Sequence, residues 1–94
     1  MKKEVFKQIL EKNDENTTKL FSIYYVSLIS SDTCIDTKSC TISLNKLKEL
    51  KSYLNEFDDI NEEIKKDYLE KINIGIEIIE QDLEALKNGN VFIC

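Results

Sequence analysis

The chain has 94 residues, of which 41% are hydrophobic and 33% charged, and its 13 lysines and 18 acidic residues give a net charge of −5. It contains no histidine, arginine, proline or tryptophan, which excludes an imidazole base, a histidine metal ligand, a Ser/His or Cys/His nucleophile pair and a bidentate arginine clamp. We therefore expect one compact domain over residues 1–94 that is not an enzyme and holds no cofactor or metal.

The first predicted element is a short amphipathic helix over residues 2–13, where Val5, Phe6, Ile9 and Leu10 recur at helical spacing. Residues 20–29 follow, rich in β-branched and aromatic side chains and apolar on both alternating faces. This composition predicts a central β-strand covered on both sides, either regular or with a bulge at Tyr24 and Tyr25.

The third predicted element is a second, antiparallel strand over residues 40–44, where apolar residues alternate with small hydroxyl residues. Ser43 can then cap a helix whose apolar stripe is formed by Leu47, Leu50, Leu54 and Phe57.

A long final helix is predicted over residues 60–87. Its N-terminus has Asp59 three residues before Glu62, which is similar to a capping box, and Lys87, Asn88 and Gly89 end it. Residues 72–78 also alternate with period two around a glycine, so a strand is the alternative for this segment. The helix has an apolar seam, formed by Leu69, Ile72, Ile76, Ile79, Leu83 and Leu86.

The predicted fold class is α+β, with a short N-terminal helix, a two-stranded antiparallel sheet and two helices, the last one long. The apolar residues 91–94 either add a third, edge strand or pack under the helices. The element order and acidity are similar in layout to small phage-encoded antagonists such as some anti-CRISPR proteins. No site residue follows from that resemblance.

The three cysteines have no metal-like spacing, which fits a reducing compartment better than a disulfide framework. Cys34 and Cys40 flank a five-residue segment, and we expect them to be unbridged small hydrophobic residues. No stretch approaches the roughly 20 apolar residues of a membrane span. The predicted location is cytoplasmic, without membrane association.

Charge is spread unevenly along the chain. Residues 58–94 contain ten acidic residues and four lysines, whereas residues 1–57 have eight acidic residues and nine lysines. Glu63, Glu70, Glu77 and Glu84 recur every seven residues, about 10.5 Å apart along a helix. They form either an ordinary solvated face or a binding surface for a basic protein partner. The same charge argues against nucleic acid binding, which requires a basic patch.

Tyrosines are the other candidates for partner binding, because an exposed tyrosine combines apolar area with a hydroxyl group. Tyr53 and Tyr68 lie at the edges of their apolar stripes and are the preferred interface residues, whereas Tyr24 or Tyr25 is expected in the core.

Together these features predict a non-catalytic interaction module. The first hypothesis is a small acidic stoichiometric inhibitor, of the immunity or anti-defence type and encoded by a phage or mobile element, which presents its last helix to a basic partner. The alternative is a structural or regulatory subunit that forms a homodimer through the apolar seam of that helix.

Overall fold

A computed structural model describes residues 1–30 and 35–88. The described residues form four helices and contain no strand, so the α+β prediction is wrong and the fold is a helical bundle. The helices are α1 (Lys3–Lys12), α2 (Glu15–Ile29), α3 (Thr37–Glu56) and α4 (Glu62–Lys87).

The frame of the bundle is an antiparallel hairpin of α3 and α4, which have the most extensive contact of any two helices. Leu47 of α3 lies against Gly75 of α4, and Phe57 and Ile60 are buried in the connection between the helices. The apolar seam of α4 faces this contact, and its residues Ile72 and Ile79 are fully buried. The other seam residues are partly buried and pack against the same core: Leu69, Ile76, Leu83 and Leu86. A homodimer through this seam stays a prediction.

Helices α1 and α2 form a second hairpin, which covers one part of the α3–α4 hairpin. Phe6 of α1 stacks on Phe21 of α2 with 5.7 Å between ring centroids. Helix α2 runs parallel to α4, because Phe21 contacts Tyr68 and the side chain of Ile29 approaches Gly75 further along. The resulting molecule is elongated, with extents of 44 × 23 × 20 Å.

An aromatic cluster joins the elements at one end of the bundle. The ring of Phe6 lies 6.2 Å from that of Phe57 and 6.1 Å from that of Tyr68. Phe21 meets Tyr68 edge to face at 4.7 Å. Aromatic pairs at these separations stabilise a core beyond their buried area.

Residues 20–29 belong to helix α2, so the prediction of a central strand here is wrong. The helix has a strong N-terminal signal, because the Asp14 carboxylate accepts a hydrogen bond of 2.8 Å from the Thr17 backbone N–H in a capping box. Among these residue types, the helix and strand propensity scales each span only about 1 kcal/mol per residue, and a two-stranded sheet is marginal in water. Tertiary packing on α4 therefore decides in favour of the helix.

Residues 40–44 lie inside α3, so the second predicted strand is also wrong. The Asp36 carboxylate accepts a hydrogen bond of 2.7 Å from the Ser39 backbone N–H, and this capping box starts the helix seven residues before the predicted cap at Ser43. Cys40, Ser43, Leu44 and Leu47 are all buried, which reveals helical spacing beneath the apparent alternation. Without a sheet, the layout similarity to phage antagonists no longer holds.

The first and last helices agree closely with the prediction, and Gly75 lies within α4. Asn13 ends α1 in the left-handed region at φ 43°, a conformation that asparagine tolerates. The prediction for residues 91–94 lies outside the described residues.

Candidate functional site on the acidic face of the last helix

The four glutamates that were predicted to bind a partner lie on the outer face of α4, opposite the buried seam. Each of Glu63, Glu70, Glu77 and Glu84 is exposed. Their seven-residue spacing keeps them near one line, which drifts by only about 20° per step along a straight helix. The line is about 31 Å long. We call these four residues the acidic face.

The carboxylates of the acidic face make no ion pair or hydrogen bond within the described part of the chain. The neighbouring Lys71 pairs instead with Asp67 at 3.1 Å. Lys7 of α1 pairs with Asp59 at 3.3 Å. The negative charge of the acidic face is therefore not neutralised by these lysines.

Apolar side chains interrupt this charged surface. Glu70 and Glu77 border a shallow depression of about 400 Å³, which is also lined by Leu69, Asn73, Ile74 and Lys66. Ile74 is 49% exposed. Ile74 therefore adds exposed apolar area between Glu70 and Glu77. Ile74 is not among the residues predicted for this surface, although its position beside Glu70 and Glu77 follows from the same helical period.

Tyr53 lies on a different surface, where α3 meets α1. It is half-buried, its hydroxyl donates a hydrogen bond to Glu49 of the same helix, and the Lys3 ammonium lies 6.0 Å from its ring centroid. The hydrogen bond to the Glu49 carboxylate, with a smaller effect from desolvation, raises the pKa of Tyr53 to about 12. The structure thus does not bring Tyr53 together with the acidic face.

Tyr68 is only 2% exposed and belongs to the aromatic cluster, so its prediction as an interface residue is wrong. The reason is the position of α2, which covers the side of α4 that would be solvated in an isolated α3–α4 hairpin. The buried Tyr68 hydroxyl has no hydrogen-bond partner among the described residues.

The cysteine prediction also needs a correction. Cys40 is fully buried in α3 and is disulfide-bonded. The described residues contain no second cysteine, so its partner lies outside them. The expectation of an unbridged Cys40 is wrong, and the cytoplasmic compartment, which depended partly on it, stays a prediction.

Within residues 1–30 and 35–88, no three acidic or cysteine side chains come together as a set of metal ligands. None of the described helices has both the length and the apolar character that crossing a membrane requires. Comparison of the chain with protein-family models, with curated proteins and with solved structures gave no match.

Proposed function

We propose that this protein is a non-catalytic interaction module that binds the basic surface of a protein partner through the acidic face of α4 and inhibits that partner stoichiometrically. The observation that carries this proposal is the line of four exposed glutamates without ion-pair partners in the described chain. A basic groove can satisfy all four carboxylates along a single straight helix.

The two components of the surface support different steps of binding. Exposed carboxylates attract a basic partner over a Debye length of about 8 to 10 Å and so accelerate association. Exposed Ile74, in the depression between Glu70 and Glu77, offers apolar area that is desolvated only in the complex. We therefore expect the glutamates to determine mainly the association rate and Ile74 to determine mainly the lifetime of the complex.

The proposal excludes direct nucleic acid binding by this surface, because phosphates and carboxylates repel each other. Two of the three lysines of α1, Lys3 and Lys7, pair with Glu56 and Asp59 and so add little to a basic patch there.

The test compares two triple variants of equal charge. The first replaces Glu70, Glu77 and Glu84 with Gln. The control replaces Glu4, Glu11 and Glu15 with Gln, three exposed acidic residues outside α4. Captured partners from a host extract are identified with the wild-type protein, and association rates are then measured against salt concentration.

The first variant should associate more slowly and lose most of its salt dependence, while the control should behave like the wild type. Ile74→Ser should increase the dissociation rate and leave the association rate nearly unchanged. If the first variant and the control bind with the same rate and the same salt response, the acidic face is a solvated surface and the proposal is wrong.

A further inference from the structure

The N-terminal hairpin, formed by α1 and α2, packs on the first half of α4. Helix α2 ends at Ile29, whose side chain lies against Gly75 in the middle of α4. The contact between α3 and α4 continues beyond this point, because Leu44 and Leu83 line a common depression and Leu83 lies about 12 Å past Gly75 along α4. The α3–α4 hairpin therefore has a long contact of its own that does not involve the N-terminal hairpin.

Covalent structure does not fasten the N-terminal hairpin to the rest of the bundle. The N-terminal hairpin is joined to α3 through residues 30–36. Residues 1–30 contain no cysteine, so the disulfide bond of Cys40 does not involve α1 or α2. The crosslink thus does not oppose separation of the two hairpins.

The ion pairs between the two hairpins add little to their association. Lys3 pairs with Glu56, and Lys7 pairs with Asp59. Between 39% and 65% of each of these side chains is exposed, and exposed ion pairs contribute little to stability. The hydroxyl of Tyr68 is buried in the closed bundle without a hydrogen-bond partner among the described residues. Separation returns this hydroxyl to water, so it favours opening.

The aromatic cluster couples α1 to α2. Phe6 and Phe21 both pack on Tyr68 and also stack on each other, so the two helices lose their contact with α4 together. Tyr25 adds one hydrogen bond to the carbonyl of Lys71. Helices of 10 and 15 residues are marginal on their own in water. Helices α1 and α2 therefore unfold once they leave α4.

We propose that the N-terminal hairpin opens as a unit, in a local unfolding step that leaves α3 and α4 paired. Opening uncovers Tyr68 and Phe57, which are buried in the closed bundle. The acidic face is unchanged by this step, because its glutamates lie on the outer face of α4. The inference does not depend on the proposed function, and either can fail alone.

The experiment is native-state hydrogen exchange of the full chain, followed amide by amide in the regime where rates report the open population. Amides of α1 and α2 should share one protection factor, at least about a hundredfold below that of the most protected amides of α3 and α4. Their exchange should also respond less to added urea than global unfolding does, because opening exposes less surface.

Two leucine truncations distinguish local opening from global unfolding. Leu83→Ala removes a side chain that packs on the core beyond the end of α2. It should lower the protection of α3 and α4 by about tenfold and leave α1 and α2 unchanged, because its contacts persist in the open form. The matched control is Leu28→Ala, at a buried position of α2. It should lower protection in all four helices by the same factor.

Equal protection of all four helices in the wild type would overturn the proposal. A uniform loss of protection in Leu83→Ala would also overturn it, because α1 and α2 would then exchange only through global unfolding. If Leu28→Ala does not fold, the wild-type protein and Leu83→Ala still decide between the two outcomes.

Discussion

The hydroxyl of Tyr25 in α2 donates a hydrogen bond of 2.7 Å to the backbone carbonyl of Lys71 in α4. This contact lies one helical turn before Gly75, where side chains of both α2 and α3 lie close to the backbone of α4. Together with the contacts of Phe6 and Phe21 to Tyr68, this hydrogen bond fixes the position of the N-terminal hairpin on α4.

Gly75→Ala should destabilise the protein by about 1 kcal/mol. A methyl group at this position would lie 3.0 Å from a ring carbon of Tyr25, 3.1 Å from a methyl of Ile29 and 3.2 Å from a methyl of Leu47. Overpacking costs roughly 1 to 3 kcal/mol, and the gain in helix propensity offsets about 1 kcal/mol of it. Urea denaturation measures the difference.

The control for propensity is Asn73→Ala at an exposed position of the same helix, which should be slightly stabilising. Truncating Ile29 to Ala should cost less in the Gly75→Ala background than in the wild type, because it makes room for the new methyl group. Additive effects would show that the predicted clash does not occur.

Tyr68→Phe should increase the free energy of unfolding by up to about 1 kcal/mol, because it removes a buried hydroxyl that lacks a partner in the described chain. Tyr25→Phe deletes the same atom where it does donate a hydrogen bond, and should decrease the free energy by about 0.5 to 1.5 kcal/mol. Chemical denaturation of both variants checks the opposite signs. A loss of stability in Tyr68→Phe would contradict the prediction.

Tyr53 should ionise at a pKa of about 12 in the folded protein, mainly because its hydroxyl donates a hydrogen bond to Glu49. The folded state binds this proton more tightly than the unfolded state, where the pKa is 10.0. The resulting stability is fully present below pH 10 and is lost as the pH rises towards 12.

Titration of tyrosinate absorbance checks the Tyr53 prediction. Glu49→Gln should lower the pKa of Tyr53, and Tyr53→Phe identifies which transition belongs to this residue. Glu49 also raises the pKa of Tyr24, after the larger effect of desolvation, so the single-residue deletion is needed. Ionisation of Tyr53 at its ordinary pKa would refute the hydrogen bond.

Asp36 should stabilise the start of α3 in a pH-dependent manner. The hydrogen bond from the Ser39 backbone N–H lowers the pKa of this carboxyl, so its contribution is present above the unfolded value of 3.8 and is lost as the pH falls through the folded-state pKa.

Two substitutions separate capping from charge at Asp36. Asp36→Asn keeps a capping acceptor but no charge, so it should be less stable than the wild type at neutral pH and equal to it in acid. Asp36→Ala should be less stable at both. Thermal melts across this pH range provide the measurement. Equal stability of all three proteins at neutral pH would mean that α3 does not begin at the Asp36 cap.

The sequence by itself determined α1, α4 and the line of four glutamates, because an uninterrupted helical period fixes both the buried and the exposed face of a long helix. It did not determine α2. Residues 20–29 are apolar on both alternating faces, so their periodicity could not distinguish a covered strand from a helix with one uncovered face.

Only the tertiary structure decided where α2 lies, and that placement decided which of the candidate interface residues are buried and which are exposed. Phe21 and Tyr25 pack on α4 and bury Tyr68, which removes a predicted interface residue. The same packing turns Leu20, Ile23 and Val26 outwards and creates a surface that no local pattern indicated. The physical reason is that burial depends on which elements meet, and contacts between residues far apart in the chain leave no signature in local periodicity.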